Sequence, residues 1–246
     1  MLRDENAALI EPRRGKREPL LPEKALLVFT PQDCEVFLRL FSPPAERSHK
    51  VCLAQVHVGA YGGTPISVVG PAIGAPQAVM VVEKLIALGV REILAVGWCG
   101  SLQQIAAIGD VVIPLNTVCE EGTSVHYPIG APPPGPSSEL LSPLREALRS
   151  DQFKIHEGTV WTTDAPYRET FAKVSAYQRK GVLAVDMETS ALFTLARYRG
   201  IRVAILLVVS DDLSSLKWIH GFGQSAFKQC RERLAPLALA TMCRRA

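Results

Sequence analysis

The sequence lacks any apolar run long enough to cross a membrane. The run near the C-terminus, Ala204 to Val209, is far shorter than the ~20 residues that a spanning helix needs. The N-terminus also lacks the apolar stretch of a signal peptide, because its first charged residues are followed by Arg13, Arg14, Lys16 and Arg17. We therefore expect a cytoplasmic protein that makes no membrane contact, with residues 1–23 as a flexible basic tail.

Charge and cysteine content exclude further classes of protein. The net charge of +3 is too near neutral to indicate nucleic-acid binding. The six cysteines are scattered and include no CxxC pair, which favours reduced, buried thiols over a disulfide framework or a metal site. A chain of 246 residues that is 48% hydrophobic is not disordered throughout, and it predicts one domain over residues 24–246.

Short apolar segments are mixed with segments of helical periodicity. The apolar pattern predicts strands at 25–29, 52–61, 65–69, 93–97, 111–113 and 201–209. The 3.6-residue period predicts helices at 33–40, 76–89, 140–148, 186–198 and 224–243. This mixture indicates an α/β fold with a largely buried sheet.

A glycine-rich segment, Gly97-Trp98-Cys99-Gly100-Ser101, directly follows a predicted buried strand. Its two glycines would let a ligand approach the backbone closely, although a purely structural turn explains them equally well. A dinucleotide-binding loop is excluded, because the spacing is G-x-x-G and a new strand follows too soon for a crossover helix.

Two acidic residues stand at the ends of predicted elements. Glu188 lies in the first turn of a mostly apolar helix, where an acid is favoured by the helix dipole or can accept hydrogen bonds from the vicinal hydroxyls of a sugar. Asp211 follows the most hydrophobic strand, where open α/β sheets place ligands. A buried acid there is suited to proton donation, and a helix N-cap is the structural alternative.

In this order and spacing, the three places resemble the nucleoside phosphorylase superfamily, which includes purine nucleoside phosphorylases, uridine phosphorylases and related nucleosidases. Supporting matches lie at 70–76, 97–102, 109–112, 158–164 and 185–191. The resemblance implies a three-layer α/β/α sandwich around a mixed, partly barrel-like sheet. It also implies a homo-oligomer, a hexamer or a dimer, that cleaves ribosyl N-glycosidic bonds without any cofactor.

The resemblance also implies roles for single residues. Glu188 would bind the ribose 2′- and 3′-hydroxyls while Met187 packs on the sugar. Cys99 and Gly100 would line the base site, and Asp211 would protonate the departing base at a ring nitrogen.

Further base contacts are implied by two segments between these places. Trp161 would stack on the base, and the loop 166–170 would bring Tyr167 and Arg168 to it. The family's uridine enzymes use a glutamine–arginine pair in that loop and lack the aspartate that corresponds to Asp211. This loop has no glutamine, so the sequence favours a purine nucleoside as the substrate.

The family's phosphate site is poorly matched. The phosphorylases carry a Gly-Asp-Pro-x-Arg loop where residues 30–34 read Thr-Pro-Gln-Asp-Cys, and an arginine where this chain has Ala95. Trp98 replaces a small hydroxyl residue and would fill space near the anion. Since an anion without cationic partners is costly to bury, the sequence slightly favours water as the nucleophile. Glu35 then falls near the position of the nucleosidases' water-activating glutamate.

Two alternatives remain open at this stage. A divergent phosphorylase would build its anion site from Arg47, Lys50 or Arg168, and would take inorganic phosphate beside the nucleoside. A non-catalytic nucleoside-binding protein is the other, although such a protein has no need of the proton donor Asp211. In every case the expected partner is a small-molecule nucleoside and not a nucleic acid.

Overall fold

The computed structural model describes residues 8–130 and 133–244. Its strands are β1 (Lys24–Val28), β2 (Glu46–Val51), β3 (Ala54–Tyr61), β4 (Thr64–Gly70), β5 (Glu92–Ser101), β6 (Val111–Glu120), β7 (Ile155–Thr163), β8 (Ala184–Asp186), β9 (Arg202–Asp212) and β10 (Ile219–His220). Its α-helices are α1 (Pro31–Leu38), α2 (Ala75–Ala87), α3 (Ser138–Ser150), α4 (Phe171–Arg179), α5 (Thr189–Arg199) and α6 (Ser225–Cys243).

The strands form one mixed sheet in the order β10-β9-β6-β7-β8-β5-β1-β4-β3-β2. An additional parallel pairing joins β5 to β9, so that β9, β6, β7, β8 and β5 close into a ring. The β2–β3–β4 end is antiparallel and extends the sheet beyond β1. The expected mixed, partly barrel-like sheet is therefore confirmed.

Helices cover both faces of the sheet. On one face α2 and α5 pack together and bury residues such as Val82, Leu85 and Phe193. On the other face α1, α3 and α6 bury Phe37 and Phe227 among their apolar side chains. These layers confirm the α/β/α sandwich, and the apolar stripes of the helices explain why each helix lies where it does.

The glycine-rich segment after the predicted strand 93–97 is a continuation of β5 and not a turn. Cys99 pairs with Val209 of β9, and Gly100 pairs with both Asp211 of β9 and Val185 of β8. Glycine is required at Gly97 by packing, because a Cβ there would lie 2.3 Å from a ring carbon of Phe29.

Two further predictions are corrected near the strand ends. Asp211 and Asp212 remain in β9, so neither is a helix N-cap. The helix predicted from residue 186 begins at Thr189, because Asp186 ends β8 and its Oδ2 accepts the backbone N–H groups of Glu188 and Thr189 at 3.3 and 2.8 Å.

The segment before β1 contacts the domain although residues 8–23 include no helix or strand. The Leu21 N–H donates to the Leu88 carbonyl oxygen at 2.8 Å, and Lys84 forms an ion pair with Glu18. The domain boundary at residue 23 and the flexibility of the tail stay predictions. All six cysteines are free thiols, but the prediction that they are buried is wrong for Cys52 and Cys119, which are exposed. Within the described ranges no helix is long and apolar enough to span a membrane.

Candidate active site

A cavity of about 520 Å³ opens beside the carboxyl ends of the parallel strands β1, β5 and β9. This edge of an α/β sheet is where ligands are generally bound, since loops leave the strands there. The wall contains seven of the residues singled out from the sequence: Trp98, Cys99, Gly100, Tyr167, Met187, Glu188 and Asp211.

Asp211 reaches the cavity from the end of β9 and is half-buried. The Ser210 hydroxyl donates to its Oδ1 at 2.6 Å, with the Cys99 carbonyl oxygen 3.2 Å away as the other acceptor. The Trp218 indole Nε1–H donates to its Oδ2 at 2.9 Å. Both carboxyl oxygens therefore accept a hydrogen bond, which fixes the side chain against the wall.

Glu188 reaches the cavity from the residue just before α5 and is only 4% exposed. The Gly74 backbone N–H donates to its Oε1 at 2.6 Å, from a residue whose φ of 83° favours glycine. Burial, with the nearby charge of Asp186, raises the pKa of Glu188 to about 8. The carboxyl group is thus held in place, and it keeps its proton more readily near neutral pH than a free glutamate does.

Asp186 also lines the cavity, but its carboxylate is used within the protein. Its Oδ1 accepts from the Thr162 hydroxyl at 2.7 Å, and its Oδ2 accepts from the Thr189 hydroxyl and the backbone N–H groups at the start of α5. Burial raises the pKa of Asp186 while these hydrogen bonds oppose the shift. Its role is to order the segment that carries Glu188.

Cys99 and Gly100 form the floor of the cavity from β5. Burial raises the pKa of the Cys99 thiol well above its usual range, so the thiol is neutral and packs as a small apolar group. Glycine is needed at Gly100 by packing, because a Cβ there would lie 2.7 Å from Leu213 Cδ1 and 3.1 Å from Asp211 Oδ2.

Trp218 and Glu169 are among the cavity residues that the sequence analysis missed. Trp218 lies between β9 and β10, is 63% exposed, and was given no role. Glu169 follows Arg168 and is half-buried in the wall, and burial together with the charge of Asp211 raises its pKa to about 7. The only signal in the sequence was their nearness to Asp211 and to the loop 166–170.

The wall is rich in acidic side chains. Among the residues that line the cavity in the described parts of the chain, Glu169, Asp186, Glu188 and Asp211 are acidic, and none is Lys, Arg or His. Aromatic residues supply much of the remaining surface, including Phe29, Trp98, Tyr167, Trp218 and Phe222.

Trp161, expected to stack on the base, is fully buried and does not line the cavity. Its ring packs 4.7 Å from that of Tyr177, in a cluster with Val174 of α4. Strand residues alternate between the two faces of a sheet, and Trp161 points to the face of β7 that α4 covers. The stacking role is therefore corrected to a structural one.

Glu35 and Arg168 also fall outside the cavity wall. Glu35 is exposed on α1, because the buried face of that short helix carries Asp33 and Phe37, four residues apart. Arg168 is exposed in the short 3-10 turn of residues 166–168, next to Tyr167, which is 97% exposed at the cavity mouth.

The predicted sources of an anion site do not meet at the cavity. Arg47 and Lys50 are exposed on β2, at the far edge of the sheet. The guanidinium of Arg231 on α6 lies behind the wall, 5.0 Å from the centroid of the Trp98 ring. However, Arg231 Nε donates to the buried Asp33 carboxylate at 2.7 Å, and this ion pair neutralises its charge.

Comparison with known proteins gives consistent matches. A family model described as the phosphorylase superfamily matches residues 23–242. Guanosine phosphorylase from Halorubrum lacusprofundi is 34% identical over 153 residues, a match that spans 62% of this chain and 64% of that relative's length. The DeoD-type purine nucleoside phosphorylase of Bacillus cytotoxicus is 35% identical over 157 residues, or 63% of this chain and 67% of that protein.

Solved structures match over almost the whole chain. Uridine phosphorylase from Vibrio fischeri superposes with a TM-score of 0.83 at 26% identity, covering 94% of this chain and 99% of that chain. Purine nucleoside phosphorylase from Toxoplasma gondii, in complex with immucillin-H, gives a TM-score of 0.82 and covers 91% of each chain. Its identity of 21% supports a common fold alone.

Proposed function

The chain belongs to the phosphorylase superfamily, and from this premise we propose that it cleaves the N-glycosidic bond of a purine nucleoside. One observation carries the proposal: Asp211 and Glu188 line the same cavity. A nucleoside needs one group at its base and another at its sugar, and these two acids come from different elements, β9 and the start of α5.

Asp211 is the proposed proton donor. A base that leaves as a neutral molecule is a far better leaving group than an anion, and a positioned acid is typically worth ~10²–10⁴ in rate. Its two hydrogen bonds, from Ser210 and Trp218, hold the carboxyl group at the cavity surface. The base would take one of these oxygens as its hydrogen-bond partner.

Glu188 is the proposed sugar-binding group. The Gly74 N–H fixes one of its oxygens, so the carboxyl group is oriented before a ligand arrives and loses little freedom on binding. Met187 precedes it on the wall and would pack on the pentose.

A purine is the proposed base for two reasons. The chain carries an aspartate at the end of β9, which is the pattern of the family's purine enzymes. The curated relatives quoted above are also named for guanosine and purine nucleosides, although uridine phosphorylase is among the structural matches.

Inorganic phosphate is the first candidate for the nucleophile that attacks the sugar, because the relatives are named phosphorylases. Phosphate would then need a cation from outside the described wall. We propose that a second copy of the chain supplies it in a homo-oligomer, for example through the exposed Arg47 or Lys50 of β2.

Hydrolysis is a second candidate because of one specific observation. The described cavity wall has four acids and no basic side chain, and Trp98 takes up space beside Phe222 and Phe227. A phosphate dianion would find no cationic partner there, whereas water needs none.

The test is release of free base from inosine, guanosine, adenosine and uridine, with and without inorganic phosphate. Purine turnover supports the proposal, and turnover of uridine alone rejects the purine assignment. Ribose 1-phosphate that forms only when phosphate is added establishes phosphorolysis, and free ribose without phosphate establishes hydrolysis. No turnover of any nucleoside by the folded oligomer would reject the function.

A further inference from the structure

A second cavity of about 290 Å³, which we call the side cavity, adjoins the first one. Glu169, Leu213 and Trp218 line both cavities and form the boundary between them. The remainder of its wall comes mainly from the start of α4 and from the segment after β9, including Phe171, Val174 and Leu216.

The side cavity is mostly apolar. Val174 is buried at its base, and Phe171 stands at its rim with 73% of its surface exposed. Lys217 supplies its only cation among the described lining residues, opposite in charge to Glu169 at the boundary. Such a wall suits an apolar or aromatic group and offers little to a sugar or a phosphate.

The boundary lies beside the proposed proton donor. Trp218 donates to Asp211 Oδ2 at 2.9 Å, Leu213 is two residues from Asp211, and the charge of Asp211 acts on Glu169. In a purine the N7 nitrogen and the substituent at C6 lie on the same edge of the ring. A purine whose N7 meets Asp211 therefore directs its C6 substituent toward the boundary.

We propose that the side cavity is a subsite for an apolar substituent at position 6 of the purine, so that the chain accepts N6-alkyl or N6-aryl adenosines. The proposal rests on the function proposed above. The substituent passes between Glu169 and Trp218, and the exocyclic N–H that remains donates to the Glu169 carboxylate. The side chains of Leu213 and Val174 then surround the alkyl or aryl group.

The experiment compares kcat/KM for adenosine and N6-benzyladenosine. For the wild type we expect the two values to agree within ~10-fold, because the side cavity takes up the benzyl group without displacing the purine. Val174→Phe fills the side cavity and should lower kcat/KM for N6-benzyladenosine by ~10-fold or more, with adenosine changed by less than ~2-fold. Val174→Ala is the matched control, and it should keep N6-benzyladenosine as a substrate.

Phe171→Ala is a second variant, and we expect it to fold because the Phe171 side chain is largely exposed. It should lower kcat/KM for N6-benzyladenosine by ~3-fold or more and leave kcat/KM for adenosine unchanged. The subsite is overturned if the wild type cleaves adenosine but N6-benzyladenosine more than ~100-fold less well, or if the variants lower both substrates alike.

Binding tests the subsite even if no nucleoside is cleaved. Tryptophan fluorescence titration should give N6-benzyladenosine an affinity at least equal to that of adenosine, lost selectively in Val174→Phe. If this selective binding is found but no nucleoside is cleaved, only the catalytic function is rejected. If N6-benzyladenosine binds more weakly than adenosine and Val174→Phe does not change its affinity, the subsite is rejected.

Discussion

Replacing Asp211 with asparagine is the sharpest perturbation of the proposed chemistry. Asparagine has nearly the same shape, but it has no proton to give to the departing base. We expect kcat for purine nucleosides to fall by ~10²–10⁴, the usual contribution of a general acid.

The structure indicates that this variant folds. The amide oxygen can still accept the Trp218 N–H, and the amide NH₂ can donate to the Ser210 hydroxyl, which rotates to accept. Both hydrogen bonds remain possible but lose the help of the carboxylate charge, so the free energy of unfolding should fall by about 1–2 kcal/mol. Because the variant stays folded, a fall in kcat by ~10²–10⁴ then reflects the loss of the proton donor.

The assay uses two leaving groups and a neighbouring control. 4-Nitrophenyl β-D-riboside releases a stable anion that needs no proton, so Asp211→Asn should cleave it within ~10-fold of the wild type. Asp212→Asn is the matched control, because the Asp212 carboxylate accepts the Ser214 N–H at 2.6 Å and does not line the cavity. Equal losses on both substrates, or equal losses in the two variants, would refute proton donation by Asp211.

Three further predictions follow from the same geometry. Glu188→Ala should raise KM for ribonucleosides by ~10-fold or more but leave 2′,3′-dideoxynucleosides unaffected, and equal effects on both would contradict sugar binding. Burial raises the pKa of Glu188 from 4.5 to about 8, so the native state retains a proton that the unfolded chain has lost. The free energy of unfolding should therefore fall as pH rises across that window, and urea titrations should show a flatter profile for Glu188→Gln. Trp161→Ala should lower the free energy of unfolding by about 3–5 kcal/mol. Trp161→Phe should leave KM unchanged, and a raised KM in this variant would support stacking of Trp161 on the base.

The sequence identified the two acids of the cavity wall better than it identified the wall's aromatic residues. Asp211 and Glu188 are acids in unusual places, one after a long apolar strand and one at the start of an apolar helix, and such positions stand out in any chain. Trp161 and Glu35 have no such mark. Whether an aromatic faces a cavity or a helix depends on which side of β7 is covered, and only α4 decides that.

Glu169 and Trp218 line the cavity, but the sequence did not predict it. Neither belongs to a periodic pattern that points to a ligand, and both reach the cavity because loops fold back over the ends of β7 and β9. The pairing of Ile219 with Asp212, and of His220 with Asp211, fixes the second of these loops. No local pattern encodes a pairing of only two residues.

Apolar periodicity by itself determined the α/β class, most of the strands and helices, and the two acids at their ends. These features are local, since a buried strand or an amphipathic helix must carry its apolar residues at fixed spacing. The tertiary structure alone decided that Gly97 to Ser101 continue β5, that the strands close into a ring, and that Asp211 and Glu188 share a cavity. The reason is physical, because those outcomes depend on backbone pairing between segments about a hundred residues apart. Backbone hydrogen bonds are the same for every pair of strands, so the sequence of one strand does not determine which strand it pairs with.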